Sequence, residues 1–129
     1  MRKIFLILIA MLGLGACVNA QDKKSYNDMD AGSFAKLLAN DNVQLLDVRT
    51  PDEYAEGHIA GARNIDIYDD DFISQATESL DKSKPVAVYC RSGKRSAEAA
   101  RRLAEKGYKV TNLEGGIIAW TKGNKPVEK

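Results

Sequence analysis

The chain has 129 residues, with 19 basic and 18 acidic side chains, a formal net charge of +1 and both signs interleaved along its length. That length suits one domain, and so even a balance excludes the basic footprint of a nucleic-acid binder or of a protein that lies on an acidic lipid surface. Two cysteines are too few for a disulfide scaffold, so the domain must be held by its own apolar core.

Residues 1–20 read as an export signal. Arg2 and Lys3 form a basic start, Ile4 to Leu14 an apolar run too short to span a bilayer comfortably, and small residues follow. A core helix is seldom apolar all round. Two processing patterns overlap here. Leu14-Gly15-Ala16-Cys17 resembles a bacterial lipobox, in which Cys17 becomes the acylated first residue, whereas Val18-Asn19-Ala20 before Gln21 fits the small-x-small rule of ordinary signal peptidase. Either way the expected location is the bacterial cell envelope. The protein would be periplasmic, soluble or lipid-anchored, with no membrane contact beyond that anchor. Cleavage before Gln21 leaves 17 basic against 18 acidic side chains, a net charge of about −1, and Cys90 as the unpaired cysteine. A lone thiol in an exported protein points to reactivity. Residues 21–25 are polar and read as a tether, 26–123 as the folded domain and 124–129 as a polar tail.

Within the domain, Asp30 can cap a helix whose Phe34, Leu37 and Leu38 form one apolar stripe. Val43 to Val48 is a short apolar run, the mark of a buried strand. Thr50, Pro51 and Glu53 then supply an N-cap, an N1 proline and the reciprocal acid of a capping box, on a short helix stopped by Gly57. His58 to Ile67 reads as extended or irregular. "DDDFISQATESL" reads as a helix started by the acids Asp69 to Asp71 at its positive end, a solvated start rather than a cation site. Pro85 to Tyr89 is the next strand and runs directly into Cys90. Ala97, Ala100, Leu103 and Ala104 make the stripe of a helix from Ser96 to Lys106, closed by Gly107. Lys109 to Leu113 is a last strand, and Gly115-Gly116 lead into a short amphipathic segment ending near Trp120. Strands alternating with helices imply an α/β fold, with a parallel sheet covered on both faces.

The segment "CRSGKRS", residues 90–96, carries the chemistry. In such a sheet, ligands bind beyond the carboxyl ends of the strands, where Cys90 falls, with a helix expected to begin at Arg95 or Ser96. Successive amides in a strand-to-helix turn form an anion nest, and the helix start adds partial positive charge. Arg91, Lys94 and Arg95 add three cations. All of this favours the thiolate and would hold an anionic substrate. Gly93 suits a position that needs positive φ or room for a ligand. Spacing separates the chemistries open to such a thiolate. A Cys-based phosphatase needs Cys-x5-Arg, but the arginine here falls at 95 and Ser96 takes the expected place. A Cys–His hydrolase needs a base, and His58, the one histidine, lies among small residues in "GHIAGA" and reads as a local hydrogen-bonding residue. A dithiol redox enzyme needs a second nearby cysteine, and none is present. Sulfur transfer needs only one thiolate and an anion site.

Three spaced segments resemble the rhodanese (thiosulfate sulfurtransferase) family. "LLDVRTPDEYAEGHIAGARNI" resembles its N-terminal signature, "VAVYCRSGKRSAEAARRLAEKGY" its active-site strand, six-residue loop and helix, and "VTNLEGGIIAW" its C-terminal signature. The likeness extends from about Tyr26 to Gly123 and is greatest to small single-domain members exported to the bacterial envelope. It implies a single domain with a mostly parallel five-stranded sheet and helices on both faces. It implies Cys90 as the nucleophile that becomes a persulfide, and the amides of Arg91, Ser92, Gly93, Lys94, Arg95 and Ser96 as the cradle. The side chains of Arg91, Lys94 and Arg95 would attract thiosulfate or a similar donor, and Asp47 and Arg49 would support the loop. A thiol or cyanide would accept the sulfur, with no metal or organic cofactor. Two other activities stay open at this point: a persulfide carrier with little turnover of its own, and a small Cys-based phosphatase or arsenate reductase-like enzyme.

Overall fold

A computed structural model describes residues 24–129. The expected export signal, both processing patterns and Cys17 lie outside the described residues. The three apolar runs form β2 (Gln44–Asp47), β4 (Val86–Tyr89) and β5 (Val110–Leu113). Two further strands, β1 (Asn27–Met29) and β3 (Arg63–Asn64), are too short to carry a periodic signal; β1 lies just before the Asp30 cap and β3 within the segment expected to be extended or irregular. The sheet order is β1-β5-β4-β2-β3, and every neighbouring pair is parallel.

The helices are α1 (Ala31–Leu38), α2 (Pro51–Glu56), α3 (Phe72–Ser79), α4 (Lys94–Glu105) and α5 (Gly116–Lys122). Because strand side chains alternate between faces, β2 and β4 feed two separate cores. Leu46, Val86, Val88 and Cys90 pack with Phe72 and Ala76 of α3 and Ala99, Ala100 and Leu103 of α4. Leu45, Ala87 and Tyr89 face the other way, against Phe34 of α1 and Trp120 of α5. Phe34 and Trp120 meet edge to face at 6.4 Å. Each such fully buried apolar side chain contributes about 2 kcal/mol relative to exposure.

Local signals set most helix starts. The Asp30 side chain accepts from the Ser33 amide at 2.8 Å, and the Thr50–Glu53 capping box is complete. Helix α3 begins at Phe72, directly after the acids Asp69 to Asp71 as expected, and Asp69 and Asp71 accept from the Gln75 side-chain amide. Two expectations are corrected. Helix α4 begins at Lys94, one residue before the expected start, because Gly93 takes the left-handed cap conformation at φ 101°. Its buried face is Ser96, Ala99, Ala100 and Leu103 rather than the all-apolar stripe. A serine joins that face because its hydroxyl meets the thiol, a partner that no hydropathy pattern records.

The last residues fold back on the domain. His58 and Glu128 exchange backbone hydrogen bonds of 2.8 Å each, and the Trp120 indole N–H donates to the Pro126 carbonyl at 2.8 Å. Residues 124–129, polar in sequence, thereby strap the end of α2 to α5.

Candidate active site

Cys90 directly follows β4, the central strand, at the carboxyl edge of the sheet, and is fully buried. Its sulfur accepts from the Gly93 amide at 3.1 Å and from the Ser96 hydroxyl at 3.4 Å. Burial pushes the Cys90 thiol up, but hydrogen bonds from the Ser96 hydroxyl and the amides of Ser96, Gly93 and Ser92 outweigh it and hold the group below its ordinary value. The thiolate is thus favoured by the loop's own N–H and O–H groups. Of the amide nest, the helix start and the three cations expected to share that work, the amides do it, joined by the Ser96 hydroxyl. In the structure Arg91 and Lys94 are exposed, and Arg95 is committed elsewhere.

The loop takes this shape because another element pulls its carbonyls away. The Cys90 carbonyl accepts from the Ile117 amide at 2.9 Å and the Arg91 carbonyl from the Ile118 amide at 3.2 Å, both at the start of α5. In a trans peptide the N–H points opposite to the C=O. Fastening these two carbonyls to α5 therefore turns the amides of Arg91 and Ser92 toward the interior of the loop. Gly115 and Gly116 permit the approach, with φ of 80° and 61° and no side chain between the two backbones. The sequence marked these glycines only as a break before the last helix.

Arg95 closes the loop by a two-pronged pair with Glu53, at 2.8 and 2.9 Å. Glu53 also completes the capping box of α2, so one carboxylate joins the β2–α2 connection to the Cys90 loop. Hydrogen bonds donated to Glu53 by the Arg95 guanidinium and by the Thr50 amide and hydroxyl, with the charge of Arg95, outweigh partial burial and hold Glu53 at about 2, against an ordinary 4.5. Sequence reasoning assigned Glu53 only its cap. Its second partner lies 42 positions away.

Asp47 and Arg49 form a buried pair at 2.7 Å. Arg49 also donates to the Gly57 carbonyl at 2.7 Å and lies 5.6 Å from the centre of the Tyr89 ring, the residue before Cys90. The pair thus shapes the connection that launches α2 and meets β4 through Tyr89. His58 is apart from the thiol's hydrogen bonds. It stacks on Tyr54 at 3.7 Å and bonds the Tyr54 carbonyl through Nδ1, the local role read for it.

A cleft of about 320 Å³ lies beside the loop, lined by Ser92, Gly93 and Lys94 with Tyr26, Asn112 and Glu114. A second, of about 390 Å³, opens at the amino-terminal ends of β2 and β3, on the edge away from Cys90.

Residues 30–123 match the family model described as a rhodanese-like domain. The chain is 39% identical over 103 residues to a sulfurtransferase of Allochromatium vinosum, covering 78% of this chain and 94% of that one. It is 35% identical over 107 residues to thiosulfate sulfurtransferase 18 of Arabidopsis thaliana, covering 74% and 79%. Among solved structures it superposes on a rhodanese-related protein of Thermoplasma volcanium with a TM-score of 0.70 and 32% identity, covering 80% of this chain and 98% of that one.

Proposed function

Since the chain belongs to the rhodanese-like family, we propose that it is a sulfurtransferase working through Cys90. It takes a sulfane sulfur from thiosulfate or a similar anionic donor and passes it to a thiol or cyanide acceptor. The observation that carries this reading is a buried thiol whose hydrogen-bond donors come from its own loop and from Ser96 in the first turn of α4. That arrangement keeps a nucleophile charged without a general base, which suits transfer of an atom that needs no proton removed.

In the first step the Cys90 thiolate attacks the outer sulfur of thiosulfate. An S–S bond forms to Cys90 as the S–S bond of the donor breaks, and sulfite leaves with the electron pair. The amides from Arg91 to Ser96 stabilise the charge on the donor and the leaving group, while exposed Arg91 and Lys94 raise the local concentration of anions. In the second step an acceptor thiolate or cyanide attacks the outer persulfide sulfur and restores the Cys90 thiolate. Because Cys90 is buried, the extra S–S bond of about 2 Å carries the transferable sulfur toward the mouth, where an acceptor can meet it. Asp47 and Arg49 act as loop support through Tyr89 and α2. No step calls on a metal or an organic cofactor. Export to the envelope, with Cys17 acylated or Gln21 as the mature N-terminus, completes the reading.

Intact-mass measurement after incubation with thiosulfate tests it. The protein gains one sulfur atom on Cys90, cyanide removes it as thiocyanate, and the Cys90→Ser variant never gains it. Failure of the wild-type protein to load would overturn the proposal.

A further inference from the structure

Arg95 closes the loop that holds the thiol, yet its hydrogen-bonding fork is already occupied. Both terminal nitrogens donate to Glu53, one to each carboxylate oxygen, at 2.8 and 2.9 Å. Glu53 is itself held by the Thr50 amide and hydroxyl, each at 3.1 Å. The guanidinium carbon lies over the Tyr68 ring, 5.7 Å from its centre. A planar two-pronged contact is the geometry by which arginine grips a tetrahedral oxyanion, so the carboxylate sits where such an anion would otherwise bind.

We propose that Glu53 is a specificity-determining residue, which withholds the Arg95 fork from oxyanions and leaves the loop to hold its donor through backbone amides. The consequence is chemical. A free guanidinium at the end of the loop would strengthen binding of every compact dianion, including sulfate, phosphate and the sulfite that must leave after the first step. Tight ground-state and product binding of that kind lowers turnover without helping the transfer. With Arg95 neutralised, the loop retains its amides for the transferred sulfur and releases the oxyanion. Glu53 stays ionised at any working pH, so the fork stays closed. The inference rests on the Cys90 loop being the site of sulfur transfer.

The test compares sulfate binding, by calorimetric titration at constant ionic strength, in the wild type, Glu53→Gln and the double variant Glu53→Gln with Arg95→Gln. Glutamine at this position can still complete the capping box, and thermal melts confirm folding. Expected results are sulfate binding about tenfold tighter in Glu53→Gln, from one freed charge-assisted contact, and a double variant within about threefold of wild type. Sulfite inhibition of transfer tightens in step with sulfate binding in Glu53→Gln. Unchanged sulfate affinity in folded Glu53→Gln would overturn the proposal. So would a double variant that binds sulfate tenfold more weakly than wild type, since Arg95 would then already serve the anion. That second comparison decides the matter even where Glu53→Gln alone fails to fold. Sulfur loading from thiosulfate, read by mass on the same proteins, separates this inference from the function it rests on: wild type that never loads sinks the latter, whatever sulfate does.

Discussion

Gly116 lies so close beneath the Cys90 loop that a Cβ on it would stand 2.3 Å from the Arg91 carbonyl oxygen and 2.7 Å from that of Cys90. This approach lets the first amides of α5 take both carbonyls, and so aims the loop's own amides inward. Gly116→Ala should therefore cost about 3 kcal/mol, from strain at positive φ and the clash together, and should abolish sulfur loading. Gly61 is the control: its φ is 86° but nothing lies within 4 Å of an added Cβ, so Gly61→Ala should cost about 1 kcal/mol and load normally. Urea unfolding and intact mass read the two effects.

Ser96→Ala removes the hydroxyl that meets the Cys90 sulfur at 3.4 Å. Burial then has less to oppose it, so the thiol's titration moves to higher pH. The rate of Cys90 alkylation at neutral pH should fall about tenfold, with the fall recovered in alkali. A pH profile of alkylation that does not move would show that the amides alone hold the thiolate.

The Glu53–Arg95 pair makes stability depend on acid. Glu53 titrates at about 2 in the folded protein against an ordinary 4.5, so its contribution is complete above pH 4.5 and is lost as pH falls through about 2. The pair is partly exposed, with side chains 20% and 27% accessible, and screening reduces the contribution to about 1 kcal/mol. Thermal melts of wild type and Glu53→Gln should differ by a few degrees at pH 7 and converge between pH 4 and 2. Curves that stay parallel over that range would contradict the assignment.

Removal of residues 125–129 takes away the Trp120–Pro126 hydrogen bond and the paired backbone of His58 and Glu128. The expected cost is about 2 kcal/mol, with a red shift of Trp120 emission as its indole N–H meets water. An unchanged emission maximum and melting temperature would show that the strap contributes nothing.

Features written within a few residues of one another were legible in the sequence. The runs that became β2, β4 and β5, the Thr50–Glu53 capping box and the six-residue spacing from Cys90 to Arg95 all have short-range causes. The strands β1 and β3 were not legible, because three and two residues owe their conformation to a neighbouring strand rather than to a pattern of their own. The face of α4 was misjudged for a related reason. Ser96 is buried by its contact with Cys90, and a count of apolar residues passes over a hydroxyl.

The sequence by itself determined that a lone thiol ends an apolar strand, that a short loop with a glycine follows it, and that a helix begins where the loop ends. Those are consequences of local hydrophobicity, of glycine's freedom at positive φ and of loop length. Only the tertiary structure decided what the surrounding groups do. The amides of α5 draw off two carbonyls, the hydroxyl of Ser96 turns to the sulfur, and a carboxylate from α2 closes the fork of Arg95. Neighbouring charge in sequence is not neighbouring charge in space. A guanidinium goes to the fixed carboxylate within its reach, and here that carboxylate comes from 42 residues away.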